Sequence, residues 1–416
     1  MTDLSRERAV ALDAADPLAS LRDAFVVEDP ELIYLDGNSL GRLPKATADR
    51  IAQVVRDEWG AGLIRSWRHW VDLPSRAGDL IGSTLLGAAK GQVVVSDSTT
   101  VNLYKLAVAA LDARPGRTVI ITDDDNFPTD RYVLEGLAAQ RGMELRTVHT
   151  DIDGGLDLDL LRDAVDENTA LVSLSHVAYR SGALLDMAAV NAIVHRAGAL
   201  VLWDLCHSAG SVPVELDATG GDLAVGCTYK YLNGGPGSPA FLYVRDELQA
   251  ALRQPIWGWF GQRDQFAMGP SYDPVPGIDR FLAGTPAVVG IAAVEEGVRV
   301  LAEAGIDRLR AKGIALTDYV IELAGAWLPG FDLATPADPC RRGSHVSLRH
   351  PDAWRVTQAL IEAKVIPDYR TPDRLRLGPA PVSTGFADVW EAMSRLRQIM
   401  ADKSYERFSG EPSRVT

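Results

Sequence analysis

Short apolar runs alternate with helical patterns from about residue 90 to residue 250. Runs of strand length fall at 93–95, 118–122, 144–149, 170–174, 199–203, 223–226 and 240–244. Apolar residues at helical spacing separate several of them, at 101–111, 130–140, 158–165 and 187–195. This alternation predicts a mostly parallel seven-stranded sheet covered by helices on both faces. The rhythm breaks at 255–286, a stretch rich in Gly, Pro and aromatic residues, which predicts a long functional connection. From Ile291 a helical pattern runs toward Ala324 and leads into a smaller β/α region containing 345–348, 352–363 and 374–377. The expected organisation is an N-terminal arm (1–45) joining a small domain, a large domain (46–290) and a small α/β C-terminal domain (291–416). The last ten or so residues are expected to be frayed.

Composition narrows the class. At 416 residues and 47% hydrophobic content, the chain can bury a large core. A net charge of −14 argues against nucleic acid as a partner, because that binding needs a basic surface. No run approaches the 18 apolar residues of a membrane span, and residues 1–23 lack the apolar core of a secretory signal. Cys206, Cys227 and Cys340 are odd in number and lack ligand spacing. They suggest a reducing cytoplasm, with neither a disulfide frame nor a metal site.

Only seven of the 42 basic residues are lysines, and one stands among small, uncharged neighbours in Gly226-Cys227-Thr228-Tyr229-Lys230. Burial disfavours the ammonium form, and a neutral amine attacks carbonyls to form a Schiff base. A lysine snorkelling from a strand end is the plain alternative. Upstream, Asp204 closes the apolar run that ends in Leu202-Trp203, with His207 three residues on. Ligands of open α/β sheets gather at strand C-terminal ends. An acid closing one strand and a lysine after the next suit pyridoxal phosphate, the lysine tethering the aldehyde and the acid keeping the pyridine nitrogen protonated. Taken alone, Asp204 could equally cap the following segment. Ser96-Asp97-Ser98-Thr99-Thr100 follows one strand and opens a helix, an arrangement suited to phosphate or to a simple cap. Phe127, before Pro128-Thr129-Asp130, offers an aromatic face for the ring or a turn aromatic.

These segments resemble a known family. Tyr34-Leu35-Asp36-Gly37-Asn38-Ser39-Leu40-Gly41, Phe127-Pro128-Thr129-Asp130, Asp204-Leu205-Cys206-His207 and the glycine-rich run through Gly237 are similar to kynureninases. So are Trp257-Gly258-Trp259-Phe260-Gly261, the 280–286 segment, Arg342-Gly343-Ser344-His345-Val346-Ser347 and Arg376, all in the family's order over nearly the whole chain. The resemblance implies an aspartate-aminotransferase-like fold (fold type I). It also implies a homodimer with shared active sites and hydrolysis of L-kynurenine to anthranilate and L-alanine with pyridoxal 5′-phosphate (PLP). It matches Lys230 to the Schiff-base lysine and Asp204 to the pyridine-nitrogen partner. Thr99, Thr100, Ser175, His207 and Tyr229 match cofactor contacts, with Phe127 on the ring and Pro128, Thr129 and Asp130 beside it. Trp259 and Thr285 match contacts near the phosphate, Thr285 reaching the partner subunit's site.

Arg376 matches the arginine that grips the substrate α-carboxylate, and an unpaired arginine in a site poor in cations suits a bidentate fork. A surface ion pair is the plain alternative. Tyr229 is the candidate proton relay, and Trp67 the candidate wall for the substrate aryl ring. Gly284 stands where relatives that prefer the 3-hydroxylated substrate carry serine, which points to unsubstituted kynurenine. Two alternatives stay open: another enzyme of the group, such as a cysteine desulfurase or selenocysteine lyase with Cys340 as the thiol, and a non-catalytic PLP-binding protein.

Overall fold

The seven apolar runs become strands of one sheet in the computed structural model, which describes residues 3–411. They are β1 (Val93–Val95), β2 (Val119–Asp123), β3 (Glu144–Val148), β4 (Thr169–Ser175), β5 (Leu200–Asp204), β6 (Leu223–Gly226) and β7 (Phe241–Val244). Their order across the sheet is β1-β7-β6-β5-β4-β2-β3. Only β7 runs against its neighbours; the remaining pairs are parallel. Successive residues of a strand point to opposite faces, and here both faces are covered. In β5, Leu200 and Leu202 pack with helices α1 (Thr99–Asp112) and α2 (Pro128–Arg141) through Leu103, Leu106, Leu134 and Leu137. Val201 and Trp203 pack on the other side with Val190, Ile193 and Ile291. That two-sided burial is why the strands read as continuous apolar runs.

A second core lies around a four-stranded antiparallel sheet of β8 (Asp332–Leu333), β9 (Val346–Arg349), β10 (Asp368–Arg370) and β11 (Arg374–Leu377), in the order β10-β11-β9-β8. Leu348, Leu375, Leu360 and Val389 fill it, joined by Ala9, Ile33 and Leu35 from the start of the chain. Ile33–Tyr34 pairs in parallel with Val365–Ile366. Two differences from the sequence reading follow from packing. The helix Val288–Ala304 buries Ile291, Val294, Val298 and Leu301 in the core of the large sheet, so a boundary at 290/291 cuts through that core. Leu18 and Phe25 of the arm also pack there. Of the frayed tail expected at the C-terminus, residues 412–416 lie outside the described residues.

The 255–286 connection is anchored by Phe260, Ile278, Phe281 and Leu282 in the core beside α1 and α2. Ile256, Trp257, Trp259, Phe266 and Met268 stay exposed. No helix among the described residues is long and apolar enough to cross a membrane.

Candidate active site

The loop after β6 is built to hold one side chain. The amide of Gly234 donates to the Thr228 carbonyl at 2.8 Å, and that of Asn233 to the Lys230 carbonyl at 2.9 Å. Asn233 takes a left-handed backbone (φ +55°), a conformation asparagine tolerates better than most residues. Gly41 then docks on this loop, its amide donating to the Tyr229 carbonyl at 2.8 Å. A Cβ at Gly41 would stand 2.3 Å from the Lys230 carbonyl oxygen, so only glycine lets the arm seat here.

Lys230 opens into a cavity of roughly 390 Å³ at the C-terminal ends of β1, β5 and β6. Its walls include Asp204, Asp130, His207, Phe127, Thr129 and Tyr229, with Ser98, Thr99 and Thr100 at the start of α1. Nζ of Lys230, on a side chain 9% exposed, lies 3.3 Å from His207 Nε2. It also lies 5.8 Å from the Phe127 ring centroid and 5.9 Å from that of Tyr229. Burial, then the charge of Lys230, pushes the His207 pKa well below its ordinary value, so the ring is neutral and can accept from the amine. Asp204 Oδ1 accepts from the Cys206 amide at 2.7 Å. The Asp130 carboxyl is pushed well up, first by burial and then by the neighbouring Asp204 charge. The buried Oδ2 of Asp130 has no hydrogen-bond partner. Burial likewise raises the Tyr229 phenol well above its ordinary value.

At the α1 end, Ser98 Oγ caps the helix by accepting from the Val101 amide at 3.3 Å. The amides of Thr99 and Thr100 sit in the first turn, where a helix offers no carbonyl partner. Amine, acid pair, aromatic face and anion-binding helix terminus thus meet in one cavity. That set suits a planar, phosphorylated aldehyde with a ring nitrogen.

Other predicted residues lie elsewhere. Ser175 adjoins Asp204 in the β4–β5 register, but its hydroxyl donates to Asn126 Oδ1 at 2.7 Å and it does not line the cavity. Asn126 Oδ1 also accepts from the Phe127 amide at 2.8 Å, which links Ser175 to Phe127 through one side chain. Pro128 starts α2 and is likewise absent from the walls. Trp67 packs against Trp70 and Phe260, with ring centroids 5.6 and 6.0 Å away, outside the cavity. Trp259, Gly284 and Thr285 are exposed and do not reach the Lys230 of their own chain.

Arg376 is not the unpaired arginine its sequence context suggested. It is 1% exposed, ion-paired with Asp368, and donates to Ser39 Oγ at 2.9 Å and to the Tyr179 carbonyl at 2.5 Å. In the amide orientation that satisfies both groups, Asn38 accepts from Arg376 Nε at 2.8 Å. Arg370 pairs with the same Asp368 at 2.8 Å. A buried guanidinium is costly without a partner, and register supplies one, Asp368 facing Arg376 across β10 and β11. Arg376 remains close enough to His207 that its charge helps depress that imidazole. Asp97, Cys227 and Ser238 also line the cavity, the first two known from the sequence only as members of the 96–100 run and of the three cysteines, and Ser238 carrying no signal there. Cys340 is exposed and lines a separate groove with Arg341 and Asp157, which contains no lysine. Cys206 is a buried thiol pushed well up by its bond to Cys227 and by burial.

Residues 309–396 match the family model for the kynureninase C-terminal domain, and residues 83–221 that of the DegT/DnrJ/EryC1/StrS aminotransferase family. A kynureninase of Burkholderia pseudomallei (strain K96243) is 48% identical over 411 residues, covering 96% of this chain and 97% of that one. One from Pseudomonas fluorescens is 47% identical with the same coverage. Among solved structures, the apo cysteine desulfurase of Thermococcus onnurineus NA1 superposes with a TM-score of 0.80 at 18% identity, over 92% of this chain and 97% of that chain. A cysteine desulfurase from Escherichia coli gives 0.79 at 19% identity, over 92% and 98%. At such identities the structural likeness speaks for the fold alone.

Proposed function

The chain belongs to the kynureninase family, a PLP-dependent hydrolase that cleaves L-kynurenine to anthranilate and L-alanine, and we propose that the Lys230 cavity is where it does so. The observation that carries this assignment is the Lys230 amine 3.3 Å from a neutral His207, in one cavity with the Asp130–Asp204 pair and the α1 terminus. The residues fit the cofactor: an orphaned, buried Asp130 oxygen awaits a polar partner, and the first-turn amides of α1 await an anion. When bound, PLP supplies an electron sink that stabilises negative charge at the substrate Cα and permits Cβ–Cγ cleavage.

Each residue then has a task. Lys230 would tether the cofactor, and its amine would serve as base at the substrate Cα. His207 accepts from the Lys230 amine and orients it. Asp204, with the Asp130 carboxyl beside it pushed up by burial, would hold the ring nitrogen in its protonated form. Ser98, Thr99 and Thr100 hold the phosphate, and Phe127 stacks on the ring. Tyr229, kept protonated by burial, passes a proton near the substrate carbonyl as water adds. Arg376 faces the substrate α-carboxylate. Sharing Asp368 with Arg370, it belongs to a triad of net positive charge.

Trp259 and Thr285 complete the site of a second copy. The exposed Ile256, Trp257, Trp259, Phe266 and Met268 support this assembly, since soluble chains rarely leave such a set uncovered. Gly284 offers no partner for a ring hydroxyl, so unsubstituted kynurenine is the favoured substrate, by about tenfold in kcat/KM. Three free cysteines support a reducing cytoplasm as its compartment. The test is incubation with L-kynurenine and, in competition, its 3-hydroxy form, measuring anthranilate and L-alanine. Equimolar products with kynurenine preferred support the reading; alanine released from cysteine without anthranilate formation overturns it.

A further inference from the structure

Lys105 lies in α1 on the face it shares with the buried Val108 and Ala109, and is fully buried at 0% exposure. Its Nζ donates to Asp97 Oδ2 at 2.8 Å, the one charged group beside it among the described residues. A buried ammonium persists only against an anion, so the pair is fixed. Asp97 is unusual in its own right. Its backbone is left-handed (φ +52°), it immediately precedes the Ser98 cap, and it lines the Lys230 cavity together with Ser98, Thr99 and Thr100. The same turn is stitched to the strand after the glycine-rich loop. The Ala240 amide donates to the Asp97 carbonyl at 2.9 Å, and the Ser96 amide to the Ala240 carbonyl at 2.8 Å.

A carboxylate in the turn that is to hold a phosphate is a contradiction unless its charge is cancelled. We propose that Lys105 is a positioning residue for the cofactor phosphate, cancelling the charge of Asp97 in the left-handed turn that presents Ser98, Thr99 and Thr100. This rests on the assignment of those three residues to the phosphate. The cation works from behind the turn, which explains how a phosphate is bound with no lysine or arginine among the cavity residues other than Lys230.

The test resolves the holoenzyme to apoenzyme and titrates it with PLP and, separately, with pyridoxal, which lacks the phosphate. Lys105→Met leaves the Asp97 charge uncompensated, so the Kd for PLP should rise about tenfold or more while that for pyridoxal moves by less than about twofold. Asp97→Asn keeps a side chain that tolerates the left-handed backbone and removes the negative charge. Its Kd for PLP should equal or fall below that of the unaltered enzyme, and Asp97→Asn should bring the Lys105→Met variant back to within about threefold of that value. Opposite signs for the two single variants are a signature of charge that a merely structural pair would not give. Weakening of PLP and pyridoxal alike in both variants overturns the proposal, as does unaltered PLP binding by Lys105→Met. Should Lys105→Met not accumulate folded, weaker PLP binding by Asp97→Asn overturns it. Thr100→Val separates the underlying reading. If it leaves the Kd for PLP unchanged, the phosphate assignment falls. If it weakens PLP while Lys105→Met does not, only the role of Lys105 falls.

Discussion

Asp130 and Asp204, from the first turn of α2 and the end of β5, line one cavity, where burial and then the Asp204 charge push the Asp130 carboxyl well above its ordinary value. The pair predicts an asymmetry. Asparagine mimics a protonated carboxyl in shape, so Asp130→Asn should keep turnover within about tenfold at neutral pH. Asp204→Asn removes the negative charge that keeps the ring nitrogen protonated, and turnover should fall by about 100-fold or more even at saturating PLP. Steady-state kinetics of both variants check this; equal losses would reassign the proton.

Arg376 should matter for substrate more than for cofactor. Arg376→Lys preserves a cation for Asp368 but loses the planar fork. We expect kcat/KM to fall about 10- to 100-fold with the cofactor absorbance unchanged. Cofactor loss with normal turnover after reconstitution would assign Arg376 to the phosphate.

Asp36 gives a pH signature. Burial, then the Asp368 charge, raises its pKa to about 6, while Arg376 pulls the other way and Arg370 and Ser39 also face it. A carboxyl that holds its proton more tightly when folded costs stability as pH rises from its unfolded value toward 6. The loss is about 3 kcal/mol at most, complete above pH 6 and absent below pH 4. Asp36→Asn should therefore gain stability relative to the unaltered protein between pH 4 and pH 7. Urea unfolding at both values checks it; a pH-independent difference would contradict the shift.

Much of this site was legible because strand ends can be located from apolar runs alone. Lys230 and Asp204 follow consecutive strands, and parallel pairing brings those ends together. What stayed hidden depends on contacts between distant segments. The partner of Arg376 is set by an antiparallel register in the small sheet, and the turn of the Ser175 hydroxyl toward Asn126 depends on a neighbouring strand. The burial of Lys105 is not readable from its own helix, because it is set by what packs on that face. The helix Val288–Ala304 was placed with the small domain because nothing in its own pattern says which core its apolar face meets.

Trp259 and Thr285 are exposed on the chain whose Lys230 they do not reach, so each site should draw them from a second copy. Mixing subunits carrying Lys230→Ala with subunits altered at Thr285 should restore part of the activity, one composite site per hybrid being intact. Full activity from a sedimenting monomer would contradict this.

Every role proposed for the cavity depends on Lys230 holding the cofactor. Borohydride reduction of the yellow holoenzyme, followed by peptide mapping by mass spectrometry, tests that directly. The prediction is a pyridoxyl group on Lys230, with colour and turnover abolished by reduction and no such adduct in Lys230→Ala. A pyridoxyl group on any of the other six lysines, or a Lys230→Ala variant that still converts L-kynurenine at the unaltered rate, would contradict it.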